Sequence, residues 1–183
     1  RFPWFWGPSI QIYYAQITGA DFTGADTRGA QFLNMSGNLS SAITTNLILP
    51  DGHINGLELD AGGLLIVRDF DGGIPVTIDQ HLSMGPGGTL RMMFEADAWD
   101  STISFAPGIP VTLGGTLELT FAADVNLASQ LGRTLKIFDW TGVAPTGAFA
   151  IASPYAWDTS NLYSTGEVTL TAIPEPFTFV LVA

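Results

Sequence analysis

Cysteine is absent from the 183 residues, which excludes a disulfide scaffold, a thiolate metal site and a cysteine nucleophile. Basic side chains are scarce. Six Lys and Arg stand against 17 Asp and Glu, and a net charge of -11 repels a phosphate backbone, so nucleic acid is excluded as a partner. Long apolar runs are also missing. The C-terminal stretch Phe177-Thr178-Phe179-Val180-Leu181-Val182-Ala183 has only seven residues, against about 20 for a helix that crosses a bilayer. No transmembrane segment is therefore expected in the sequence as given. Helix-compatible stretches are few as well, because 21 Gly and 11 Pro are spread along the whole chain. What remains is apolar: 46% hydrophobic against 13% charged residues suffices for the core of one domain. Short strands joined by tight turns, an all-β fold, are the expectation.

Two repeats organise those strands. A five-residue frame runs through Ala15-Gln16-Ile17-Thr18-Gly19, Ala20-Asp21-Phe22-Thr23-Gly24, Ala25-Asp26-Thr27-Arg28-Gly29 and Ala30-Gln31-Phe32-Leu33-Asn34. A small first residue suits a tight corner and a recurrent apolar centre suits a narrow bore. Farther on, glycine turns open similar strands at Gly62-Gly63-Leu64-Leu65, Gly87-Gly88-Thr89-Leu90, Gly114-Gly115-Thr116-Leu117 and Gly132-Arg133-Thr134-Leu135. Their spacings of 25, 27 and 18 residues are each read as one turn of a coil. Gly73-Ile74-Pro75-Val76-Thr77 returns as Gly108-Ile109-Pro110-Val111-Thr112, and proline there calls for a strand start or an edge. The expected fold is a right-handed parallel β-helix, or β-solenoid, with a β-sandwich as the alternative. One short helical turn is expected within Asp124-Val125-Asn126-Leu127-Ala128-Ser129-Gln130-Leu131-Gly132.

These patterns divide the chain into an aromatic N-terminal tail (1–14), a single β-solenoid domain (15–172, its first coil at 15–34) and a C-terminal tail (173–183). The N-terminal tail has no initiator Met and is too aromatic and proline-broken for a signal peptide, so any export signal is expected to have been removed. Ile10, Ile12 and Tyr14 alternate with Gln11 and Tyr13, the pattern of a strand with one buried face. Leaving Trp4, Phe5, Trp6, Phe177 and Phe179 in water would cost about 1.5 to 3 kcal/mol each, so both tails are expected to pack on something.

Three stretches carry resemblances to known families. The five-residue frame resembles the pentapeptide-repeat family, which implies a square coil with four units per turn. Residues from Gly132 onward, and above all Trp157-Asp158 through Ile173-Pro174-Glu175-Pro176, resemble the C-terminal end of bacterial PEP-CTERM proteins. That resemblance implies an exported protein handled by an exosortase at the cell surface, with Pro174, Glu175 and Pro176 as the sorting motif. The family's basic cluster has no counterpart here. The middle of the chain is loosely similar to autotransporter-type β-helix passengers.

Catalytic constellations are thin. Asp69-Phe70-Asp71-Gly72-Gly73 is a fragment of a calcium loop without its remaining ligands, and Glu95, Asp97 and Asp100 offer a carboxylate pair only if the fold brings them together. Arg68 is the one basic residue beside Asp69 and Asp71, and His53 and His81 sit in acidic turns without a nucleophile motif. No cofactor or metal is called for, and no enzyme is expected. The first expectation is an extracellular structural subunit that self-assembles through Trp4, Phe5, Trp6, Ile10, Ile12, Tyr14, Phe177 and Phe179, with identical chains as partners. The second is a carbohydrate-binding or polysaccharide-cleaving surface protein, using Trp99, Trp140, Tyr155 and Trp157 as stacking platforms.

Overall fold

The computed structural model describes residues 11–13, 17–33, 41–69, 73–95 and 99–174. Within them the chain is all-β and its main sheets are parallel. Three successive passes each lay down three strands. The first pass gives β3 (His53–Ile54), β4 (Leu57–Leu59) and β5 (Leu64–Arg68); the second gives β6 (Val76–Ile78), β7 (Leu82–Met84) and β8 (Thr89–Phe94); the third gives β9 (Ile103–Phe105), β10 (Val111–Leu113) and β11 (Thr116–Phe121). Like strands pair with like, forming the sheets β3-β6-β9, β4-β7-β10 and β5-β8-β11. Every ladder between passes is parallel, unlike the pairing of the alternative sandwich.

Period-two burial fixes the register. In β8 and β11 alternate residues are buried, and Leu65, Leu90 and Leu117 stand opposite one another, as do Val67, Met92 and Leu119. All six are fully buried, at about 1.5 to 3 kcal/mol each for the larger side chains. Leu57, Leu82 and Val111 make the matching row in the second sheet, and Ile54, Ile78 and Phe105 in the third. A slip of one residue would turn all four rows to water.

The corner before each third strand explains one glycine of the repeat. A Cβ on Gly88 would lie 2.1 Å from the Leu59 carbonyl oxygen, and one on Gly114 2.4 Å from that of Met84. The pass above thus rests its backbone on the carbonyl that ends β4 or β7, and only glycine leaves room. Pro75 and Pro110 stand one residue before β6 and β10, where no ladder donor is needed.

The five-residue frame is a structural one. β1 (Gln11–Tyr13) and β2 (Gln31–Leu33) pair in parallel with Gln11 opposite Gln31, four units apart. Gly19, Gly24 and Gly29 all take left-handed φ between 65° and 73°. Asp21 and Asp26 accept the N–H two residues on, at 2.9 and 3.1 Å, and turn the corners between them. Residues 19–29 bond in turn to 41–50, through Gly24 N–H to Thr45 O (2.9 Å) and Thr27 N–H to Ile48 O (3.0 Å).

After β11 the pattern changes. The expected helical turn is a 3-10 turn, Leu127–Gln130, capped by Asn126. The fourth glycine repeat opens β12 (Thr134–Lys136), which does not join β11 as a coil turn would. It pairs antiparallel with β16 (Glu167–Ala172), which also pairs with β15 (Ala156–Asp158). The 18-residue spacing is therefore not a full pass. The fourth pass takes 34 residues, from Thr116 to Ala150, ending in β13 (Thr146–Gly147) on β10 and β14 (Ala150–Ala152) on β11.

Gly88→Ala is expected to destabilise the protein by roughly 1 to 3 kcal/mol in urea unfolding, because backbone must move to admit the methyl group. At Gly108, where φ is 78° and no atom lies within 4 Å of the added carbon, only left-handed strain is at stake, at about 1 to 2 kcal/mol.

Candidate functional site

Among the described residues, side chains bond to the first strands of two sheets, β4 and β5. Asn46, the described non-glycine residue with a left-handed φ (56°), sets its amide against β4 as a strand residue would. Its Nδ2 donates to Glu58 O at 2.7 Å and its Oδ1 accepts from Glu58 N–H at 2.9 Å. Beside β5, Arg28 is buried with a fully covered side chain. It holds Asp26 in an ion pair, donates to the carbonyls of Arg68 (2.9 Å) and Ile74 (3.0 Å), and reaches the buried Ser101 hydroxyl at 2.7 Å. One guanidinium thus ties the five-residue frame to three passes of the sheets.

An open groove of about 440 Å³ lies beside Asn46, lined by Ile43, Thr44, Thr45, Asn55, Glu58, Gln80 and His81. Its polar pairs cross from one pass to the next: His81 Nε2 with Glu58 Oε1 at 3.1 Å, and Gln80 Nε2 donating to Asn55 Oδ1 at 3.0 Å. The same one-pass spacing pairs His53 Nδ1 with Asp79 (2.9 Å), Arg68 with Glu95, and Arg91 Nε with Glu118 (2.8 Å).

The carboxylates and the arginine singled out in the sequence bond as follows: Arg68 donates to Glu95, and Asp69 accepts the Asp100 N–H at 2.8 Å. Asp71 and Asp97 lie outside the described residues. No group of three or more His, Cys, Asp or Glu side chains among the described residues could hold a metal ion. No described helix is long and apolar enough to cross a membrane.

Of the proposed stacking platforms, the structure brings together Trp99, Tyr155 and Trp157 but not Trp140. The first three pack around Phe94 and Phe121, with Trp157 stacked on Phe121 at 5.8 Å. Trp140 is buried in a separate stack, 4.5 Å from Phe138, and its Nε1 donates to Leu162 O at 2.7 Å. It is a core residue and offers no platform.

The residues expected to drive assembly lie mostly beyond view. Trp4, Phe5, Trp6, Ile10, Tyr14, Phe177 and Phe179 are outside the described residues, as are Glu175 and Pro176 of the motif; Pro174 is exposed just after β16. Ile12 lies in β1, which pairs with β2 of its own chain. Sequence reasoning missed a different feature. The buried row Leu65, Leu90, Leu117 continues to Ile151 in β14, and Ile151 is 41% exposed. Among the described residues β13 and β14 end their sheets with one edge unpaired. The alternation of Phe149 and Ile151 with alanines was the available signal.

Two outcomes follow for the charged groups. Arg28→Ala is expected to cost about 3 kcal/mol or more in chemical unfolding, since it leaves Asp26 and the buried Ser101 hydroxyl without the guanidinium. The hydrogen bond to Asp79 raises the His53 pKa above its usual 6.5, against a smaller opposing effect of burial. The stability this pair adds is complete below about pH 6.5 and fades as pH rises through the higher folded value. Titration by NMR should place His53 above 6.5 and return it toward that value in Asp79→Asn. No family model, curated protein or solved structure matches the chain, so its functional reading rests on these side chains and sheet ends.

Proposed function

We propose that this chain is a non-enzymatic, self-assembling structural subunit that works outside the cell, wound as a right-handed parallel β-solenoid whose copies join end to end. The observation that carries the reading is Ile151. A row of side chains that is fully buried through Leu65, Leu90 and Leu117 ends on an inward-facing residue that is 41% exposed. A further strand laid on β14 would extend the row, satisfy the unpaired edge and bury that side chain together.

Charge supports the same end. Residues 140–157 include no Asp, Glu, Lys or Arg, on a chain whose net charge of -11 keeps other faces of identical copies apart. Lysine, a common guard of exposed strand edges, is missing from β13 and β14. The extracellular placement rests on the Pro174-Glu175-Pro176 resemblance, with that motif as the sorting signal. The apolar tails, with Trp4, Phe5, Trp6, Phe177 and Phe179, are the segments of this chain suited to supply the covering contacts.

Negative-stain microscopy and sedimentation of the purified chain should show fibres or sheets. Ile151→Lys should leave soluble monomers whose thermal stability changes by no more than about 0.5 kcal/mol, as for an exposed site. A wild-type chain that stays monomeric at high concentration, or a variant that assembles unchanged, would contradict the proposal. Fractionation of the native host, with the protein found only in the cytosol, would remove the extracellular part.

A further inference from the structure

We infer that the groove beside Asn46 is a binding site for a neutral, hydroxyl-rich ligand, a short run of sugar residues, independent of the sheet end that joins copies. Its size is that of a small-molecule site, about 440 Å³, and it is open rather than enclosed, which suits a segment of a longer chain entering from the side.

The lining chemistry selects the ligand by exclusion and by fit. No Lys or Arg lines the groove, so an anion finds no counter-charge on this acidic chain. Its single carboxylate, Glu58, is already paired with His81, and one carboxylate does not make a cation site. Neutral polar groups remain. Because Gln80 Nε2 donates to Asn55 Oδ1, the Asn55 amino group and the Gln80 carbonyl are left without partners among the described residues. That places a donor and an acceptor side by side, and a sugar hydroxyl both donates and accepts. The hydroxyls of Thr44 and Thr45 likewise make no hydrogen bond among the described residues, and Ile43, 51% exposed on the wall, offers an apolar surface to the C–H face of a ring.

The groove is also held in shape. Two hydrogen bonds lock Asn46 to Glu58, and the His81 ring lies so close over Gly56 that a Cβ there would be 2.3 Å from its Cε1. The ring therefore depends on glycine for its position.

Saturation-transfer NMR tests this on the full-length chain in any state of assembly, because the signal is read on the ligand. The probes are maltohexaose, cellohexaose and xylohexaose, with inorganic phosphate as competitor. At least one oligosaccharide should receive saturation from the protein, and phosphate should not displace it. Asn55→Ala combined with Gln80→Ala should weaken binding about tenfold, while Trp157→Ala leaves it unchanged. Circular dichroism and the His53 titration should match the parent in the double variant. No transfer to any of the three sugars overturns the inference. So does displacement by phosphate, or binding that survives the double variant and is lost in Trp157→Ala.

Discussion

Everything in this molecule depends on parallel register between successive passes. Each pass lays its apolar residues over those of the pass before. Leu65, Leu90 and Leu117 share one row, Val67, Met92 and Leu119 the next, and Phe94 faces Phe121 at the end. Polar partners on the outer face keep the same spacing, so that Arg91 meets Glu118 and His53 meets Asp79. Exposed pairs of this kind are worth only about 0 to 1 kcal/mol each, so the buried rows, not the charges, hold the register.

The two ends of this stack are finished by different means. At the start, side chains stand in for a strand: the Asn46 amide answers Glu58, and buried Arg28 gathers the carbonyls of Arg68 and Ile74. Paired buried charge is costly to desolvate, and here it is offset by hydrogen bonds from the guanidinium to Asp26, Arg68, Ile74 and Ser101. At the finish, an antiparallel sheet and two aromatic stacks cover part of the stack, while β14 keeps Ile151 at the surface. Among the described residues, then, the two ends of the stack are finished differently, and the stack has a direction.

Much of this architecture is legible in the chain because it is local. Glycine turns followed by Leu-Leu or Thr-Leu mark β5, β8 and β11, and prolines mark the starts of β6 and β10. The fourth glycine repeat also leads into Thr-Leu and yet opens β12, whose partner is β16. A turn motif specifies that a strand begins, and it does not specify which strand it meets. The 18 residues between Gly114 and Gly132 were the warning, being fewer than the 25 and 27 that separate the preceding glycine turns. Arg28 and the groove were not legible at all. Arg28 bonds to Ser101, 73 residues away, and the groove joins Asn55 to Gln80 from adjacent passes. No motif links such residues; only the winding does.

The winding is open to direct test, because the chain has no cysteine to interfere. Ser83 and Thr112 are exposed register partners on β7 and β10, and parallel strands about 4.8 Å apart fall within the reach of a disulfide. Mild oxidation of Ser83→Cys combined with Thr112→Cys, followed by mass spectrometry, should give an intramolecular cross-link. Ser83→Cys combined with Glu118→Cys, which places the thiols on different sheets, should not. Equal cross-linking in both variants, or none in the first while both remain folded, would contradict the parallel register on which this account stands.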